Sequence, residues 1–183
     1  MERNEKGHAG RLKFGLGLAL TMLTRLFQFF PNVEPILAGT LPFAKKQGPW
    51  TGAAFAFLAL ASFDFVSGRL GLWTLYTGIT YALVGYAGGK YFEDKGLELR
   101  HRLGFAIGAT LFYDAVTALL FGWQFGQPLM VTLAGQVPFT LYHLLGNVAA
   151  VTLLTPLLNA ALVENPQLDA MTQAWKKAFS LRA

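Results

Sequence analysis

A chain of 183 residues with 54% hydrophobic and only 14% charged side chains stands well below the roughly 25% charge of soluble domains, which excludes a sizeable water-soluble domain. The formal net charge of +5 would suit nucleic acid, but the basic residues fall in short segments between apolar runs, the pattern of loops kept on the cytoplasmic side of a membrane. No cysteine is present, so disulfides, thiolate nucleophiles and cysteine-bound metals are excluded.

Residues 1–10 read as a polar, basic, cytoplasmic tail. A first span is expected over about residues 11–30. Its start, Arg3, Lys6, Arg11 and Lys13 followed by the apolar run 14–23, resembles a signal peptide. No small-x-small cleavage pattern follows, so the segment is read as an uncleaved span. Gly15 and Ala19 lie four residues apart in it, a small-residue face suited to close helix packing, and Arg25 lies near its far end. Residues 31–35 form a loop. A second span, about 34–44, ends at Lys45 and Lys46. At about 1.5 Å per residue it barely crosses a bilayer, so it is expected to be buried among its neighbours or to begin within the loop.

The third span opens at Pro49, a proline suited to a first helical turn. It runs without charge to Phe63 and meets Asp64 one turn before Gly68. A fourth, 71–91, carries Trp73 and Tyr91 as interfacial anchors and Gly85 and Gly89 in GxxxG spacing. The charged stretch 90–102 is an aqueous loop. A fifth, 103–122, carries Gly104 and Gly108 as another GxxxG pair, read like the first as a packing feature, and contains Asp114. From 128 to 163 His143 is the one ionisable residue. This region is too long for one span and awkward for two. It reads as a short re-entrant or interfacial helix over 128–136 and a sixth span from Pro138 to about 162, kinked at Pro156. Residues 164–183, with Trp175, Lys176 and Lys177, read as an amphipathic surface helix. The expected fold is therefore an all-α, six-transmembrane-helix bundle over 11–163, flanked by the tails 1–10 and 164–183. Thirteen of the 15 Lys and Arg residues fall on one side, which puts both termini in the cytoplasm.

Under this topology the ionisable residues within the membrane gather in the outer half: Arg25, Glu34, Asp64, Arg69, Asp114 and His143. Asn147 lies one turn from His143 on the same helix face, and Gln28, Asn32, Gln124 and Gln136 lie at similar depth. Asp64 lies at the C-terminal end of its helix, where the macrodipole disfavours an anion, so it needs a partner or a ligand. Two readings stay open. Arg25 with Asp64 or Asp114, and Arg69 with Glu34, would be structural ion pairs; alternatively the group lines a water-filled pocket rimmed by Trp73 and Trp123. A short echo, Phe63-Asp64-Phe65-Val66-Ser67 against Tyr113-Asp114-Ala115-Val116-Thr117, suggests an internal repeat of the kind common in transport folds. No catalytic triad spacing, zinc-protease helix or phosphate loop is present, so no enzyme activity, resident metal or cofactor is expected, and the chain cannot itself hydrolyse ATP.

Several of these residues resemble the substrate-binding S components of energy-coupling factor (ECF) transporters. They are Gly15 and Ala19 in span one, Gly48-Pro49-x-x-Gly52 opening span three, Asp64 at its end, and the run 138–147 (PFTLYHLLGN). The resemblance covers about residues 11–162. It implies a small protein of the cell membrane that captures a vitamin or related micronutrient from outside. It also implies docking through the Gly15 and Ala19 face onto a transmembrane coupling protein that carries two ATPase subunits. By the same analogy residues 31–35 and 123–137 would lid the pocket. Glu2 stands where the nickel and cobalt branch has histidine. The substrate-binding candidates are Arg25, Glu34, Asp64, Asp114, His143 and Asn147. The rival expectations are a proton-coupled carrier using Asp64 and Asp114, a structural scaffold with its polar groups merely paired, and a membrane-embedded enzyme.

Overall fold

The computed structural model describes the backbone of residues 2–26 and 34–180, and the side chains of 9–26 and 34–175. Gln28, Asn32, most of the 31–35 loop and the side chains of Arg3, Lys6, Lys176, Lys177 and Arg182 lie outside these. The described residues form helices only: α1 (Glu2–Leu26), α2 (Ile36–Gln47), α3 (Pro49–Val66), α4 (Leu72–Tyr91), α5 (Leu99–Gln124), α6 (Leu129–Leu158), a π-helical turn (Asn159–Val163) and α7 (Pro166–Ser180). Three stretches among them are long and apolar enough to cross a membrane: α3, α5 and the run Leu129–Trp175 that contains α6. Helix α1 begins at Glu2, so the basic segment before residue 11 is continuous with the first apolar helix.

Helix α2 is the hub. Ile36 to Ala44 are all buried, and α1, α3, α4 and α6 pack around them. Its twelve residues span about 18 Å, short of the roughly 30 Å of a hydrocarbon core. Pro42 lies inside it and lacks the N–H that would bond to the Ala38 carbonyl. The Thr155 hydroxyl of α6 donates to that carbonyl instead, at 3.1 Å, so a polar group freed by proline ties two helices together.

On α1 the buried positions recur every four residues: Ala9, Lys13, Gly17, Thr21 and Arg25. Gly17 is the close-packing residue, because a Cβ there would come within 2.5 Å of the Phe43 ring. Phe43 in turn stacks on Phe55 at 4.8 Å. Gly15 and Ala19 point the other way. They are exposed on a face with Leu12, Leu16, Leu20 and Leu23, and among the described residues a Cβ on Gly15 would meet nothing within 4 Å.

Helices α3 and α4 form the most extensive pair. A Cβ on Gly52 or on Gly85 would strike the other residue's backbone, and one on Gly89 would strike Pro49. The second glycine pair behaves differently from the sequence reading. A Cβ on Gly108 would meet no described atom within 4 Å and one on Gly104 only the Tyr91 hydroxyl, at 4.0 Å; the two instead floor an apolar groove of about 510 Å³ between α4 and α5.

The expected break between a short helix over 128–136 and a span from Pro138 does not form. Helix α6 is continuous from Leu129 to Leu158 with Pro138 and Pro156 inside it. A proline removes one backbone bond, but an apolar helix has no better partner for its remaining groups than itself, so it carries on. After Pro156 the helix widens into the π-helical turn rather than ending. One end of the bundle is closed by lysines. Lys13 donates to the Val163 carbonyl at 3.0 Å and to Asp169 of α7 at 2.8 Å, Lys45 to the Phe92 carbonyl at 2.7 Å, and Lys46 pairs with Glu164.

Candidate functional site

Helices α5 and α6 run antiparallel, and residues four apart on each share a face. That geometry produces two polar rungs in an apolar interface. His143 donates its Nδ1–H to Asp114 at 2.6 Å. One turn along, Asn147 donates its amide to Thr110 at 2.9 Å. Asp114, His143 and Asn147 are each at most 2% exposed. Asp114 Oδ2, His143 Nε2 and Asn147 Oδ1 are nevertheless buried without a hydrogen-bond partner. Leaving such an atom unpaired costs roughly 1–3 kcal/mol, so three in one place is an unusual concentration of unmet demand. The rings of Tyr113 and Phe139 stand edge-on to His143 at 5.6 and 5.8 Å.

A second polar group joins α1 to α4. Arg25 Nη2 pairs with Glu34 at 3.0 Å, and Tyr81 donates its hydroxyl to the other Glu34 oxygen at 3.1 Å. The guanidinium lies 4.3 Å over the Phe63 ring, while Arg25 Nε and Nη1 are unpartnered. Tyr81 packs on Tyr113 with ring centroids 4.3 Å apart. The two tyrosines thus connect the Arg25–Glu34 pair with the α5–α6 rungs, and Tyr113 lies in the field of Glu34, Arg25, Asp114 and Asp64. The sites of Arg25 and Lys13 on α1 are twelve residues apart, about 18 Å along a helix, so this cluster and the lysine-closed end occupy different halves of the bundle.

The ion pairs suggested by the sequence, Arg25 with an aspartate and Arg69 with Glu34, do not form. Glu34 takes Arg25, and Arg69 is exposed. Asp64 has a structural explanation. Thr74 donates its hydroxyl to it at 2.7 Å, and Thr74 lies in the first turn of α4. Unfavourable for the end of its own helix, the carboxylate rests beside the start of the next, where the dipole favours an anion. Both aspartates of the sequence echo therefore accept from the helix that follows them, Asp64 from α4 and Asp114 from α6. Trp73 packs on Phe121 at 4.3 Å, and Trp123 is exposed.

All six substrate-binding candidates have a place in this description. Four polar partners were not foreseen: Thr74, Tyr81, Thr110 and Tyr113. In sequence a threonine or tyrosine within an apolar helix carries no charge and gives no signal until the partner across the interface is known. Neither the α4–α5 groove nor a second groove of about 370 Å³ beside Arg11 and Trp50 is lined by any of the six. Among the described residues, no three His, Asp or Glu side chains converge to hold a metal ion. No family profile, no curated protein and no solved structure matches this chain.

Proposed function

We propose that this chain is the solute-capturing membrane subunit of an importer of the energy-coupling factor type, taking up a vitamin or related micronutrient. In this reading it lies in the cell membrane as six spans with both termini cytoplasmic. The observation that supports it best is the α5–α6 cluster: three buried polar atoms without partners on two adjacent rungs of one helix interface. Intramembrane ionisable groups are costly and mark ligand or ion pathways, and buried polar atoms without a protein partner are available to a bound solute. Arg25, Glu34, Asp64, Asp114, His143 and Asn147 surround or support the captured molecule. The outward face of α1 with Gly15 and Ala19 is where the coupling protein and its ATPases dock, because small residues there admit a helix at close range.

Two measurements test this. Native mass spectrometry of the protein released gently from its own membrane should show a retained small molecule. Gly15→Leu or Ala19→Leu should leave the purified fold unchanged and abolish co-purification with a coupling protein. A proton-coupled carrier is the second reading, favoured by the direct Asp114–His143 contact, a pair able to exchange a proton. Uptake by the purified chain alone in vesicles, driven by a pH gradient, would establish the carrier and displace the subunit.

A further inference from the structure

We infer that the α5–α6 cluster receives the positively charged, N–H-bearing end of an organic solute. This rests on the capture reading above and adds the sign and hydrogen-bond polarity of what is captured.

The polarity follows from where each proton is already used. Thr110 has one hydroxyl proton, and it goes to the Ala106 carbonyl at 2.7 Å. Asn147 must therefore meet Thr110 with its NH₂ group, which leaves its carbonyl oxygen free. A carboxylate only accepts, so His143 meets Asp114 through Nδ1–H. On a neutral imidazole the remaining Nε2 is then a lone pair. The three unpartnered atoms, Asp114 Oδ2, His143 Nε2 and Asn147 Oδ1, are all acceptors. An anion or a hydrocarbon group cannot satisfy them; a group with several N–H donors can.

Charge points the same way. Arg25 is matched by Glu34, and Asp64 is held by Thr74 at the start of α4. Among the described residues, the ionisable partner beside Asp114 is the His143 imidazole. A buried carboxylate without a counter-charge is strongly disfavoured. Among the described residues no three His, Asp or Glu side chains converge on a metal ion, and an amine, amidine or guanidine supplies both the charge and the several N–H donors that the three acceptors call for. The competing occupant is a proton, which on Nε2 would cancel the charge and turn an acceptor into a donor.

The test uses the purified full chain in lipid nanodiscs and three probes of one shape: benzylammonium, benzyl alcohol and benzoate, at equal ionic strength and pH 7.5. Benzylammonium should raise the unfolding temperature saturably, and the other two should not. Asp114→Asn should lower its affinity about tenfold or more, as loss of a charged hydrogen bond requires. If that variant does not fold, Asn147→Leu, which changes no charge, should lower it about fivefold. Benzoate binding as well as benzylammonium, or a benzylammonium effect unchanged by both variants, overturns the inference. Native mass spectrometry separates this failure from that of the capture reading. A retained anionic or neutral solute overturns the cation assignment alone, whereas no retained solute and no response to any probe overturns both.

Discussion

Arg25 and Glu34, nine residues apart in sequence, are held at 3.0 Å with the guanidinium over Phe63, and this pair uses only one of the three guanidinium nitrogens. The other two are buried without partners. Removing one member of a buried pair strands the other charge and costs about 3–5 kcal/mol, while removing both is often close to neutral. Arg25→Met alone and Glu34→Gln alone should therefore each destabilise the protein more than the double variant does. Denaturation in detergent micelles, followed by helical circular dichroism, reads the difference. A double variant less stable than both single variants would mean the pair is not a unit.

The Asp114–His143 rung makes a complementary prediction. The two groups share one hydrogen bond at 2.6 Å, so Asp114→Asn and His143→Phe should not be additive. A double-mutant cycle on thermal unfolding should give a coupling of about 0.5–3 kcal/mol. Additive effects would show that the contact contributes nothing to stability.

The two GxxxG pairs should respond in opposite ways to the same substitution. A side chain on Gly85 runs into the backbone of Gly52, where nothing flexible can give. Gly85→Leu should cost about 1–3 kcal/mol or prevent folding. Gly108 faces open space, so Gly108→Leu should stay within about 0.5 kcal/mol of the parent. Equal damage at both positions would contradict the α3–α4 crossing.

Lys13 controls the docking of the last helix. Its ammonium bridges Val163 and Asp169 from within α1. Lys13→Met keeps most of the buried stem and removes the donor. Amide hydrogen exchange in Pro166–Ser180 should then speed up roughly tenfold, the lower end of what a lost charged hydrogen bond implies, with α3 and α4 unaffected. Unchanged exchange in α7 would show that other contacts hold it.

Much of the architecture was readable without coordinates. An apolar run with no charge from Pro49 to Phe63 admits little besides a helix, because each backbone group must find its partner within the segment. The short span over about 34–44 leaves burial among its neighbours or a start within the loop as readings, because so few residues barely reach across, and α2 takes the buried one. The break at Pro138 was misread: local rules weigh the missing N–H, but the continuous apolar surroundings of α6 outweigh it. The small-residue spacing of Gly15 and Ala19 was equally visible, yet the helix turns Gly17 inward. A four-residue period identifies a face without saying which of several faces the core selects.

The sequence by itself determined that this is an all-helical chain rich in apolar runs, and that a few ionisable residues interrupt them. Composition and periodicity are properties of single segments, and single segments suffice for that. Partnership was decided only by tertiary structure: Arg25 with Glu34, Asp64 with the start of α4, Asp114 with His143. Each of these contacts ties a helix to a different segment of the chain, and its existence depends on register and rotation across an interface. The same is true of what is left over. Unpaired atoms at Asp114, His143 and Asn147 become visible only once the partners of their neighbours across the α5–α6 interface are known.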